Sequence, residues 1–202
     1  MDLSNITYQG PEYQADQDIE SLLPDNLLSL LKQMNGFIQF GGGLHVRGLC
    51  KEPEWHSLRT AMFSETAIYK LYPAVEKSDI PFAQDCVADQ YILRGRTVYK
   101  LYAETGELEC LDFGLGSFLS AVSSDPVEFL GLEPLLQIQE QGQSIEPGQV
   151  IHVYPPFCTE EAKNGVSLKL VSNTEALTFL SDFSKQINKV GNSEKIEVRV
   201  SE

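Results

Sequence analysis

Residues 80–118, IPFAQDCVADQYILRGRTVYKLYAETGELECLDFGLGSF, constrain the fold more than any other part of the chain, because β-prone residues recur there in runs divided by turn residues. Runs 90–93 and 97–102 flank Gly95-Arg96, and a third, 107–113, follows the turn Glu104-Thr105-Gly106. Loops this short join neighbouring antiparallel strands, so the segment is expected to be an antiparallel meander. In its last strand Leu108, Cys110 and Asp112 alternate with Glu107, Glu109 and Leu111. Period-two alternation sends these sets to opposite faces, so one face can be buried while the other displays carboxylates.

The chain has 202 residues, 42% of them hydrophobic, which is enough material for one large core. The expected architecture is α+β: an antiparallel sheet or meander packed with several helices in one compact unit spanning 17–190, with a bilobed arrangement divided near 75/76 as the alternative. Residues 1–16 are polar, hold Gly10-Pro11 and read as an irregular leader. Residues 191–202, with Ile196, Val198 and Val200 alternating, read as a tail or an edge strand.

Composition also restricts the partners. The 15 Lys and Arg against 29 Asp and Glu give a net charge of −14, which opposes direct binding to nucleic acid or an anionic membrane and favours a basic protein partner. The N-terminus lacks a basic start and an apolar run, and no stretch is apolar for long enough to span a bilayer, so a cytoplasmic location is expected.

Elsewhere the signals are helical. Pro24 followed by Leu27, Leu28, Leu30, Leu31 and Met34 gives an amphipathic stripe that stops at Gly36. Residues 37–40 and 44–49 read as short strands around the triple glycine 41–43, and 54–69 as a second helix with Trp55, Leu58 and Met62 inward. Two helices are expected at 117–123 and 125–139, with Asp125 as a cap and a kink at Glu133-Pro134. Strands at 149–153 and 166–171 precede a capping box, Ser172-Asn173-Thr174-Glu175, that opens a helix ending at Gly191.

Candidate chemistry is sparse. Gly41 to Gly43 is followed neither by Gly-Lys-Ser nor by a helix, so it reads as a hairpin turn rather than a phosphate loop. Asp85 and Asp89 would share a face only if helical, and Pro81 opposes that; they suit turn hydrogen bonding or partner contact. His45, His56 and His152 fall in no catalytic signature, and Cys50, Cys86, Cys110 and Cys158 have no zinc-ligand spacing and read as reduced thiols. Ser117 reads as a helix cap. A hydrolase using Cys158 or the Asp85/Asp89 pair would need a pocket that gathers them with a histidine. No catalytic set, metal or cofactor is expected. The carboxylates Glu104, Glu107, Glu109 and Asp112, with Asp85 and Asp89, are the candidate partner-binding residues.

Three blocks carry a resemblance. They are Leu22-Leu23-Pro24 leading to Asn35-Gly36-Phe37 and Gly42-Gly43-Leu44; Ile80-Pro81-Phe82-Ala83-Gln84-Asp85-Cys86 with Asp89-Gln90-Tyr91; and Thr105-Gly106-Glu107 before Phe118-Leu119. Together they resemble bacterial immunity proteins that join a GAD-like N-terminal region to a C-terminal region named for the immunity partner of a type VI secretion DNase effector, and more loosely the SUKH superfamily. Gly142, the run 144–149 and Pro155-Pro156 fit the same C-terminal region. The resemblance implies a non-enzymatic α+β protein that binds a cognate secreted toxin, typically a nuclease. The alternative function is a regulatory, scaffold or small-ligand-binding module of the SUKH type. It transfers no contact residue.

Overall fold

The computed structural model describes residues 4–189, so the expected Gly191 stop and the alternating tail lie outside the described residues. Strands β1 (Ile6–Gln9), β2 (Phe37–Gln39), β3 (Leu44–Val46), β4 (Ile80–Asp85), β5 (Gln90–Arg94), β6 (Thr97–Leu101) and β7 (Leu108–Phe113) form one antiparallel sheet in strictly sequential order. A separate hairpin pairs β8 (Gln149–Tyr154) with β9 (Ser167–Ser172). The helices are α1 (Gln17–Glu20), α2 (Asp25–Gln33), α3 (Leu58–Phe63), α4 (Ile68–Leu71), α5 (Leu115–Ser124), α6 (Pro126–Leu130), α7 (Glu133–Glu140) and α8 (Asn173–Lys189). The protein is an α+β fold, and the expected meander is its centre.

Alternation along the central strands divides the core into two layers. Tyr91, Leu93 and Val98 face a cluster built with Leu27 and Leu31 of α2, Leu58 and Met62 of α3, and Phe118 of α5. Ile92 and Leu101 point the other way, to Tyr72, Val150, Val171, Leu177 and Leu180. The sheet is therefore covered on both faces, which is why residues 80–93 are buried almost without interruption. The hairpin is tied to the sheet by the Ile151 N–H, which donates to Cys86 O in the β4–β5 turn at 2.7 Å.

Four local expectations differ from the structure. The leader is not irregular: Ile6 to Gln9 pair with β2, and the Gly10 N–H donates to Gly36 O at 3.0 Å. Asn35 holds this segment by donating from Nδ2 to Pro11 O, Glu12 O and Leu49 O while its Oδ1 accepts from the Leu49 N–H. Glycine is required at position 10, where a Cβ would stand 2.0 Å from Asn35 O. The helix expected over 54–69 is broken into a short 3-10 turn, α3 and α4, because Ser57 and Ser64 are extended and the Ser57 hydroxyl caps α3 by accepting from Thr60 N–H. The helix expected over 125–139 divides into α6 and α7 at Gly131, whose φ of +69° ends the first segment. Ser117 lies inside α5, whose N-cap is Gly114, and is not a cap.

In β7 the simple alternation fails at a bulge. Val98 pairs with Phe113 and Tyr99 with Cys110, and Asp112 takes a φ of +55°. Two residues of β7 are extra against β6 there; Leu111 and Phe113 pack on the first core layer and Leu108 against the second.

His45 and His56 form a buried pair with Nε2 to Nδ1 at 2.8 Å. His56 Nε2 lies 3.0 Å from Asn35 O, and a carbonyl can only accept, so His56 carries its proton on Nε2 and accepts on Nδ1. His45 must then donate from Nε2. Burial lowers the pKa of both rings, which keeps the pair neutral.

Phe118 is fully buried and its ring meets Tyr91 at 4.8 Å, Phe82 at 5.6 Å and Phe129 at 5.7 Å between centroids. Phe118→Ala should cost about 3–5 kcal/mol of stability in urea unfolding, because this cavity is ringed by aromatic side chains that cannot all collapse into it.

Candidate functional site

Polar residues of the first sheet face converge beside Tyr91, where β4, β5 and β6 run side by side. Asp85 ends β4, Asp89 closes the turn into β5, and Lys100 sits on β6, with Tyr91 its cross-strand partner. Lys100 Nζ lies 3.2 Å from Asp85 Oδ2 and 3.1 Å from Asp89 Oδ2. The Asp85 contact is an ion pair without hydrogen-bond alignment, since Oδ2 has no hydrogen-bond partner. Asp85 Oδ1 accepts from the Val87 and Asp89 N–H groups at 3.1 and 3.0 Å, and Asp89 Oδ1 from Ala103 N–H at 2.8 Å. The carboxylates thus do the turn bonding expected of them. Tyr91 and Tyr102 place their rings 5.7 and 5.1 Å from the ammonium.

Two carboxylates against one ammonium leave an excess negative charge in a buried place. Burial, then repulsion from Asp89, pushes the Asp85 carboxyl up to about 7 despite Lys100. Burial also raises Asp89. For Lys100, burial alone would lower the pKa, but the two carboxylates and Tyr91 outweigh it and hold the ammonium charged. The extra proton taken up near neutrality belongs to the pair of carboxylates rather than to either one.

Above this cluster opens a cleft of about 600 Å³ between β6, the β6–β7 turn, α7, β8 and the loop after it. Asp89, Lys100 and Tyr102 form the sheet side, Glu104 and Glu107 the turn side, and Leu130, Glu133, Ile151, His152, Val153, Phe157 and Cys158 the remainder. Glu104 fixes the opposite loop: its two oxygens accept from the Phe157 and Cys158 N–H groups, both at 3.0 Å. Burial raises the Glu104 pKa, and these two amides work against the rise.

Of the six expected partner-binding carboxylates, the cleft gathers Asp89, Glu104 and Glu107. Asp85 lies beneath the floor at 1% exposure, where no partner touches it. Glu109 and Asp112 are exposed on β7 but line no part of the cleft; Glu109 accepts from Tyr102 OH, and Asp112 from Cys110 Sγ at 3.3 Å. Lys100, Tyr102, Glu133 and Phe157 are cleft residues that sequence reasoning missed. Lys100 had a visible signal: a lone cation inside the β-prone run 97–102, one strand away from Asp85 and Asp89.

The cleft also brings together Asp89, His152 and Cys158, the groups a hydrolase would need. Their states do not suit it. Burial and the neighbouring Glu104 push the Cys158 thiol up to about 11, so it is protonated at neutral pH. The Asp89 carboxylate is given to Lys100 and Ala103 N–H, and His152 packs edge-on against Phe179 at 4.8 Å. Among the described residues no hydrogen bond joins His152 to Cys158, and no group of three or more His, Cys, Asp or Glu could hold a metal ion. No helix of the described chain is long and apolar enough to cross a membrane.

Two variants test the buried cluster. Lys100→Met should cost about 3–5 kcal/mol in chemical denaturation, because it strands two carboxylates in the interior. Asp89→Asn should change the pH dependence instead. A folded-state pKa raised above the ordinary carboxylate value favours folding fully only below about pH 4, and that contribution is lost as pH rises through about 7. Asp89→Asn balances Asp85 against Lys100 one to one and removes the part of this loss that comes from the second carboxylate, while the larger part, from burial of Asp85, stays. Its stability relative to the parent should therefore improve by about 1–2 kcal/mol between about pH 5 and about pH 8, and the histidines, common to both proteins, cancel.

No protein-family model matches the chain, and no curated protein does. A crystal structure of Atu4351 from Agrobacterium tumefaciens is similar over 89% of this chain and 86% of its own, at 12% identity and a TM-score of 0.47.

Proposed function

We propose that this chain is a non-enzymatic, immunity-type protein that binds and neutralises a cognate secreted toxin, a basic nuclease effector, by accepting a Lys or Arg side chain of that toxin in the acidic cleft. The observation that carries this reading is the make-up of the cleft. Glu107 and Glu133 stand at an opening whose walls include the apolar Leu130, Ile151, Val153 and Phe157, while the one ammonium inside, Lys100, is already neutralised by Asp85 and Asp89. Long cationic side chains need that combination: apolar surface for the stem and carboxylates for the head. The net charge of −14 supports the reading by favouring rapid encounter with a basic partner. Inhibition would be stoichiometric, by occlusion.

A second reading is a regulatory or scaffold module that binds a small ligand. The cleft volume of about 600 Å³ favours it, since it falls within the range of small-molecule sites, and the same carboxylates would select a cationic compound.

The first test is co-expression with a toxin encoded beside this gene, scored for growth rescue and co-purification. With a toxin in hand, Glu107→Lys combined with Glu133→Lys should slow association by about ten-fold or more and flatten its salt dependence. A control pair on exposed surface away from the cleft, Glu12→Lys with Glu146→Lys, should have a much smaller effect. Equal behaviour of the two pairs removes the cleft from the interface, and absence of rescue or complex formation opposes the immunity reading.

A further inference from the structure

A second, smaller pocket of about 220 Å³ lies between α3, α4 and the start of α8, and it shares no lining residue with the acidic cleft. Its base includes Arg47, which is 2% exposed. The guanidinium donates from Nη1 to Pro81 O and Ala83 O at 2.8 and 3.3 Å, and from Nη2 to Gln84 Oε1 and Gln90 Oε1 at 2.7 and 2.6 Å. All four acceptors are neutral. Among the described residues no carboxylate forms an ion pair with Arg47, and its Nε–H makes no hydrogen bond. A buried cation satisfied only by dipoles keeps its full charge, and such a charge is costly unless a counter-charge reaches it.

The opposite wall carries an independent sign. Asn173 is 6% exposed, and its Oδ1 has no hydrogen-bond partner. It stands at the N-terminus of the 17-residue α8, and Thr174 and Thr178 beside it also line the pocket. First-turn N–H groups of a helix lack intrahelical acceptors and sit at the positive end of its dipole; here Asn173 N–H donates to Gly148 O and Glu175 N–H to the Ser172 hydroxyl, while Thr174 N–H has no such acceptor among the described residues. A half-turn of the Asn173 amide presents its Nδ2 donors instead of the orphaned oxygen. The one carboxylate on the wall, Glu54, is exposed and free to swing outward.

We infer that this pocket binds a small oxyanion of the phosphate type, held between the Arg47 guanidinium and the N-terminus of α8. The ligand supplies the counter-charge that the fold leaves out, and it bridges the sheet to the helix.

The full chain should be unfolded thermally in increasing inorganic phosphate, with sodium chloride at matched ionic strength as the control. At ten times Kd, phosphate should raise Tm by about 3 °C beyond the control, and the rise should saturate. Asn173→Asp places a fixed carboxylate in the pocket and suits a helix N-terminus, so it should keep or raise Tm in chloride and lose the phosphate response. Thr178→Glu, an exposed position on the same wall, gives a second variant in which the response should weaken with little risk to folding. A parent with no rise beyond chloride overturns the inference, and so does a phosphate response unchanged in both variants.

Discussion

Lys100, held between the carboxylates of Asp85 and Asp89, is the interaction on which the surrounding structure depends. It joins the end of β4, the β4–β5 turn and the middle of β6, and the Asp85 oxygens also shape the turn that accepts the hairpin through Ile151. Its place on the first face, opposite Tyr91, sets the register of the meander. A slip of β6 by one residue would carry Lys100 into the apolar second layer with Tyr72 and Leu177, away from both carboxylates, and take Val98 out of the first. A cluster that is costly to bury therefore discriminates strongly against wrong pairings, which an apolar contact would tolerate. Arg47, Gln84 and Gln90 form a second polar layer on the opposite face, so part of the ground beneath α8 is hydrogen-bonded rather than greasy.

The meander was legible because alternation and turn residues agree over residues 90–113, where each strand pairs with its sequence neighbour. The helix α2 was legible for a similar reason, its apolar stripe being bounded by Pro24 and Gly36. Elements that rest on distant partners were not. The β1 strand is four residues long and becomes a strand only because β2 offers an edge and Asn35 fixes the chain that follows. The helix expected across 54–69 broke where Ser57 and Ser64 found better use as extended residues, a local choice that hydrophobic spacing does not report.

The site was half legible. An excess of acid over base pointed to carboxylates as the chemical theme, and Asp89, Glu104 and Glu107 do meet in one cleft. What alternation along one strand cannot show is depth. Asp85 and Asp89 are four residues apart, yet one lies under the floor and the other on it, because the turn between them folds one carboxylate inward onto backbone amides. The far wall comes from Glu133 of α7 and the 151–158 segment, whose approach depends on the hairpin docking, a long-range event that leaves no periodic trace in the sequence.

The sequential order of the seven strands has a consequence for how the molecule is made. From β2 onward each strand pairs with the one synthesised before it, so the sheet can extend hairpin by hairpin as the chain emerges, with low loop-closure entropy at most steps. The cover over the ion cluster is different. Its elements, α7, β8 and the loop after β8, follow the whole sheet in the chain, and until they dock the carboxylates and Lys100 remain in water, where their charges cost nothing. Desolvation of the ion cluster is thereby postponed to a late step of folding, when the apolar surface of Ile151 and Val153 is buried at the same moment and can offset it.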